Sequence, residues 1–252
     1  MKNPLIVAHR GATQLAPENS LAAFVIAIEK GADAIEFDIH LSKDNQIVVH
    51  HDYYLGRTEN GAGFIGDYSL AALQIFNIGA KFSDSFSNEQ MPIFRDVLDI
   101  GKGRVRFEIE LRCPTLSFLN SVIGEINRAD MINDVEITSP HTPLLIHVKN
   151  INPKIRTGVF FSSFPSWMTT KLGQQHIVDW MVLLNAQVVH LPFALLNKDF
   201  IDVLHHKDFI VHGSDLNSEN EIGKAIHLGI NQFSTDVLET AIEVRDILRE
   251  RK

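Results

Sequence analysis

The chain has 252 residues, 45% of them hydrophobic, which is enough to bury one large α/β barrel or two small domains; a single domain is the expectation. Its 23 Lys and Arg against 31 Asp and Glu leave a formal charge of −8, which repels polyanions and argues against a nucleic-acid partner. A single cysteine, Cys113, excludes an internal disulfide and a cysteine-rich zinc site, and no apolar run is long enough for a signal peptide or a membrane span. A cytoplasmic chain without stable membrane insertion is expected.

In chain order, a first short strand is predicted at 5–8, with His9-Arg10-Gly11 directly after it. Asn19 and Ser20 stand as caps before an Ala/Leu/Phe/Ile stripe that ends at Gly31, predicting a helix over 19–30. The next strand, 34–41, alternates Glu36, Asp38 and His40 with Ile35, Phe37, Ile39 and Leu41. Only Lys43-Asp44-Asn45-Gln46 separates it from a strand at 46–51, too short for a helical crossover, so these two are expected to form a hairpin at the rim. The stretch 52–103 carries turn signals at Asn60-Gly61 and Gly63 and a helical pattern at 69–75, and is read as an insertion.

Strands at 104–111, 135–139, 155–161, 187–191, 208–212 and 230–234 follow, with a helix at 217–228 capped by Asn217/Ser218 and stopped by Gly229, and a charged closing helix at 243–252. Strands alternating with amphipathic crossovers predict a TIM-type (β/α)8 barrel over 1–252, with the insertion at about 52–103.

The chemistry-bearing residues fall at strand ends. Parallel sheets are covered on both faces, so the polar faces of 34–41 and of Arg106-Phe107-Glu108-Ile109-Glu110-Leu111-Arg112 must point into the barrel. Carboxylates there do not stay ionised alone, and a divalent cation is the simplest partner. Oxygen-only ligation by Glu36, Asp38 and Glu110 suits Mg2+ or Ca2+, with Mn2+ as a further candidate. The competing reading is a purely structural network in which Arg106 and Arg112 pair with Glu108 and Glu110. His9 and His51 each close a strand and form a candidate acid/base pair, while Arg10 offers a planar fork for two phosphate oxygens. Together these residues describe a site for phosphoryl transfer.

In these residues the chain resembles the glycerophosphodiester phosphodiesterase family. The resemblance runs through HRGATQLAPENSLAAF, AIEFDIHLSKDNQIVVHHDYYLGRTENG, MPIFRDVL, EIELR and LGINQFSTD, and so covers most of the chain. It implies a TIM barrel with an inserted segment that hydrolyses a glycerophosphodiester to glycerol 3-phosphate and an alcohol such as choline or ethanolamine. It further implies His9 and His51 as the acid/base pair, Glu36, Asp38 and Glu110 as ligands of one divalent cation, and Arg10 as the phosphate-binding arginine. In the family the glycerol 2-hydroxyl is thought to attack phosphorus, giving a cyclic phosphate that water opens.

Four departures bear on substrate choice. Arg112 stands where the family usually has a phosphate-facing lysine, and Glu108 stands where an uncharged residue is common, leaving open a register in which Glu108 is the ligand. His212-Gly213-Ser214-Asp215-Leu216-Asn217 replaces the family's Trp-Thr-x-Asn, and Thr138-Ser139-Pro140-His141 replaces Ser-Phe, so that His141 either faces the site or caps the next helix. Phe164 and Trp167 read as core packing, His50 as packing outward, and His40 as support behind the metal site. Two other functions compete: a lysophospholipase D-like enzyme whose Phe76, Phe82 and Phe86 meet an acyl chain, and a non-catalytic barrel that binds a phosphorylated metabolite.

Overall fold

The computed structural model describes residues 3–250. In chain order the elements are β1 (Leu5–His9), α1 (Leu21–Lys30), β2 (Ala34–Leu41), β3 (Ile47–Val49), β4 (Tyr54–Leu55), β5 (Gly63–Phe64), α2 (Leu70–Leu73) and α3 (Phe94–Gly101). They continue with β6 (Arg106–Leu111), α4 (Leu116–Ala129), β7 (Val135–Thr138), α5 (Pro143–Ile151), β8 (Arg156–Phe160), α6 (Thr170–Leu183), β9 (Val188–Pro192) and α7 (Lys198–His205). The last are β10 (Ile210–Ser214), α8 (Glu219–Leu228), β11 (Gln232–Thr235) and α9 (Leu238–Glu250).

Eight of these strands pair in parallel in the order β1-β11-β10-β9-β8-β7-β6-β2, and β1 pairs with β2 to close the ring. The fold is a TIM-type (β/α)8 barrel. The remaining long-range strand, β3, runs antiparallel on β2 through Ile39↔Val49 and Leu41↔Ile47, as the short link between them requires. The expected closing helix begins earlier than predicted, at Leu238, and its last two predicted residues, 251–252, lie outside the described residues.

Local chemistry explains the element ends. Ser20 Oγ accepts from Ala23 N at the start of α1, and Gly31 and Gly229 take left-handed conformations where α1 and α8 stop. Asn19 is not a cap: its side chain turns to the barrel, where Nδ2 donates to Asp38. Between β3 and α3 the chain forms the small β4-β5 hairpin and α2, and packs Leu55, Ile65, Leu73, Ile78 and Met91 on Val48 of β3. Helix α3 packs beside α1 and α4, so the stretch 52–103 contains a helix of the outer ring as well as the added segment.

The apolar faces of β2 and β6 meet the helices. Phe37 is fully buried, with its ring centroid 5.5 Å from Phe24 of α1, 6.1 Å from Phe94 of α3 and 5.2 Å from Phe107 of β6. Phe37→Ala should cost about 3–5 kcal/mol in chemical denaturation, because the three aromatic rings around it cannot close over the cavity; a loss below about 1 kcal/mol would contradict this packing.

Candidate active site

Alternation along β2 and β6 turns Glu36, Asp38 and Glu110 into the barrel, and the parallel register sets Asp38 opposite Glu110 and Glu36 opposite His9. One carboxylate oxygen from each acid lies within 4.8 Å of the other two. Burial, and next the charge of Asp38, push the carboxyls of Glu36 and Glu110 well above the usual range. Three acids in such confinement demand positive charge. An all-oxygen set of this kind fits a hard divalent cation. Glu108, one inward-facing step earlier on β6, takes no part in this cluster and lies with His190 and His212 instead.

Two guanidinium groups border the acids. Arg112 Nη2 lies 2.8 Å from Asp38 Oδ1, and Arg112 Nε lies 2.9 Å from Glu110 Oε1. The structural pairing considered for Arg112 and Glu110 is therefore present, with Asp38 included. Arg10 has φ +54°, a left-handed conformation rare outside glycine, and its backbone N donates to Glu36 Oε2 at 3.1 Å. Gly11 follows at φ +90°, where an added Cβ would come within 2.8 Å of Ala23 Cβ. Only glycine lets the loop after β1 lie this close to α1, which explains the third residue of His-Arg-Gly.

Each histidine of the candidate pair is backed by a carboxylate. His9 Nδ1 donates to Asp236 Oδ1 at 2.8 Å, and His51 Nδ1 donates to Asp52 Oδ1 at 2.7 Å, leaving Nε2 in both rings for proton transfer. The two environments differ in sign. At His9 burial opposes the charge, but the bond to Asp236 and the charge of Glu36 outweigh it and raise the imidazole to about 9. Burial lowers His51, and the positive charges of Arg10 and Arg112 reinforce that effect. Near neutral pH this gives one charged and one neutral imidazole, the arrangement needed for a general acid and a general base.

A chain of ion pairs carries this order to the added segment. Glu18 Oε1 accepts from Arg10 Nη1 at 3.0 Å and from Arg57 Nη2 at 2.6 Å, while Arg57 Nε donates to Asp52. Arg57 thus fixes the partners of both His51 and Arg10. Arg57→Ala should reduce kcat about 10-fold with little change in fold stability, and an unchanged kcat would show that the two carboxylates hold their places without it.

The remaining sequence candidates fall as follows. His40 Nε2 donates to the carbonyl of His51 at 3.2 Å, so it supports a histidine rather than the acids. His50 is buried under the added segment and lies 3.0 Å from Glu59, itself fully buried. His141 Nε2 meets the hydroxyl of Tyr53 at 3.2 Å and so caps no helix through its side chain, while that hydroxyl donates to the carbonyl of Arg112 at 3.0 Å. Ser214 is partly buried, and Asp215 beside it reaches to 3.9 Å from His9 Nδ1. Phe164 packs on the core, but Trp167 is 71% exposed.

Sequence reasoning assigned no role to Asp236, Glu18 or Arg57. Asp236 closes the Ser-Thr-Asp run after β11, and Asn217 Nδ2 donates to its other oxygen at 2.8 Å. Its place after the last strand, at the same rim as His9, was the available signal.

A parallel barrel with this chemistry at the C-terminal rim belongs among the TIM-barrel hydrolases. The sequence model of the glycerophosphoryl diester phosphodiesterase family matches residues 9–240, and the chain belongs to that family. It is an enzyme of the phosphoric diester hydrolase class. The glycerophosphodiester phosphodiesterase of Bacillus altitudinis is 26% identical over 97% of this chain and 99% of its own length. That of Caldanaerobacter subterraneus subsp. tengcongensis is 34% identical over 62% of this chain and 66% of its own. An Oleispira antarctica phosphodiesterase, solved in complex with the product sn-glycerol-3-phosphate, superposes with a TM-score of 0.85 at 23% identity, covering 96% of this chain and 97% of its own. Among the described residues no helix is long and apolar enough to cross a membrane.

Proposed function

We propose that this chain hydrolyses glycerophosphodiesters to glycerol 3-phosphate and an alcohol, using one divalent cation, Mg2+ or Ca2+, held by Glu36, Asp38 and Glu110. The observation that carries this reading is the carboxylate cluster flanked by two imidazoles, each held through Nδ1 by its own carboxylate. A bound cation supplies Lewis-acid stabilisation of the phosphoryl oxygens. Arg10 and Arg112 turn from the carboxylates to those oxygens and hold the diester in place. Neutral His51 takes the proton of the attacking glycerol 2-hydroxyl as its bond to phosphorus forms. His9, charged, gives a proton to the alkoxide whose bond to phosphorus breaks. Water then opens the cyclic phosphate with the two roles exchanged.

A neighbouring cavity of about 200 Å3 supports a small polar alcohol over an acyl chain. It is lined by Thr13, Pro17, Glu18, Arg57, Thr58, Ile78, Lys81 and Phe82, which bring one negative and two positive charges. A neutral or anionic alcohol suits that wall better than a quaternary ammonium. Lys81→Glu should shift the preference between glycerophosphoglycerol and glycerophosphocholine toward choline by about 10-fold in kcat/KM, and an unchanged ratio would remove this cavity from the alcohol subsite.

The reaction itself is tested with a panel of diesters and lysophosphatidylcholine, assayed with Mg2+, Ca2+ and Mn2+. Release of glycerol 3-phosphate from the glycerophosphodiesters is expected. Faster turnover of the lysolipid, or binding without turnover under every cation, would overturn the reading.

A further inference from the structure

The barrel core beneath the acidic cluster holds a second group of titratable side chains that the reaction does not use. Glu108, Glu136, His190, His212 and Gln232 come from β6, β7, β9, β10 and β11, and all are buried, the two histidines completely. Glu108 precedes Glu110 by one inward-facing step, so this layer lies toward the N-terminal end of the barrel from the reaction site. Gly158 of β8 leaves room for it, since a Cβ there would stand 2.4 Å from His190 Nε2 and 2.5 Å from Glu136 Oε1.

This layer is polar but incompletely paired. Among the described residues Glu108 Oε2, His190 Nδ1 and His212 Nε2 have no hydrogen-bond partner. Buried polar atoms are rarely left so, and two of these, Glu108 Oε2 and His190 Nδ1, belong to side chains that already approach each other and point to a missing ligand. The pairing that does exist is directional. His190 Nε2 donates to Glu136 Oε1 at 2.7 Å, which leaves the lone pair of Nδ1 facing Glu108 Oε1 at 3.6 Å. His212 Nδ1 lies 3.4 Å from Glu108 Oε2 and accepts from the Gln232 amide, which also donates to Glu136. Ligands of a tetrahedral ion at about 2.0–2.1 Å stand about 3.3–3.4 Å apart, close to these separations.

We propose that Glu108, His190 and His212 form a second metal site, separate from the reaction site and selective for a zinc-class divalent ion. Two imidazoles and one carboxylate are borderline donors, unlike the all-oxygen set of Glu36, Asp38 and Glu110. Burial keeps both imidazoles in the neutral, ligating form. Glu136 supplies the carboxylate that orients a ligating histidine from its far nitrogen. Gln232 keeps Glu136 as an acceptor when it cedes His212 Nδ1 to the ion. With its ligands 0–3% exposed, the site is out of a substrate's reach, and its effect is to tie β6, β9 and β10 together across the barrel.

The proposal does not depend on the phosphodiesterase reading and is tested without turnover. Glu36→Gln with Glu110→Gln silences the upper cluster. The zinc content of that double variant as purified, and the visible d–d absorption of its chelator-stripped form on Co2+ titration, report the lower site alone. One equivalent of metal per chain, a histidine-ligated cobalt spectrum and a rise in Tm of about 5 °C with Zn2+ are expected. Adding Glu108→Gln, or in a second variant His212→Gln, should abolish the metal content and the spectrum while circular dichroism still reports the barrel. No bound metal in the double variant, or a spectrum indifferent to both further changes, would overturn the proposal and leave ordered water as the occupant.

Discussion

His51→Ala is expected to lower kcat for a glycerophosphodiester by about 10²- to 10⁴-fold, and His9→Ala to do the same, because each removes a proton-transfer group placed at the reacting oxygens. The geometry makes the losses specific to kcat. Both rings spend Nδ1 on a carboxylate and contribute nothing to the core, so stability and KM should change little. The pH profile should separate the two roles. His51 must be neutral, so the rate rises as pH climbs through its lowered value. His9 must be protonated, so the rate falls above its raised value, which lies at about 9 before a cation offsets the charge of Glu36 and lower once one is bound. Each alanine variant should lose one limb of that bell. Losses below about threefold in both would refute the pair.

Asp38→Asn carries the second large effect. The Asp38 carboxylate is 1% exposed and lies at the centre of the site, accepting from Asn19 Nδ2 and Arg112 Nε and standing 3.6 Å from Arg10 Nε. The amide keeps the volume while removing the charge. A cation's contribution of several kcal/mol to the transition state then disappears, and kcat/KM should drop by about 10³-fold, the equivalent of about 4 kcal/mol. Divalent-cation affinity, measured by calorimetry, should fall in parallel. A variant that keeps both would show that Asp38 serves only to seat the two arginines.

The features legible in the sequence share a physical cause. Alternation in Glu36-Phe37-Asp38 and Glu108-Ile109-Glu110 has a period of two, and in a parallel barrel that period fixes which residues face inward, so the cluster and the nine strands of the larger sheet, though not β4 and β5, follow from pattern. His9 and His51 were legible because they end strands. Asp236 and Arg57 were not, because their partners lie 227 and 39 residues away and only the folded barrel brings these loops together; Glu18 shares a loop with Arg10, where no strand or helix period marks it. The partner of His50 was hidden for a related reason: on an isolated hairpin nothing covers that residue, and only the added segment brings Glu59 to it. Period also left two registers open on β6. The pairing of Asp38 with Glu110 groups Glu110 with Glu36 and Asp38, and sets Glu108 with His190 and His212 in the layer below.

The most direct test of the central claim is glycerol 3-phosphate release from a glycerophosphodiester by chelator-stripped protein, before and after Mg2+, Ca2+ or Mn2+ is restored. The cluster of Glu36, Asp38 and Glu110 predicts negligible release from the stripped protein, recovery with at least one of these ions, and no recovery in Asp38→Asn. Undiminished release in excess chelator would contradict it.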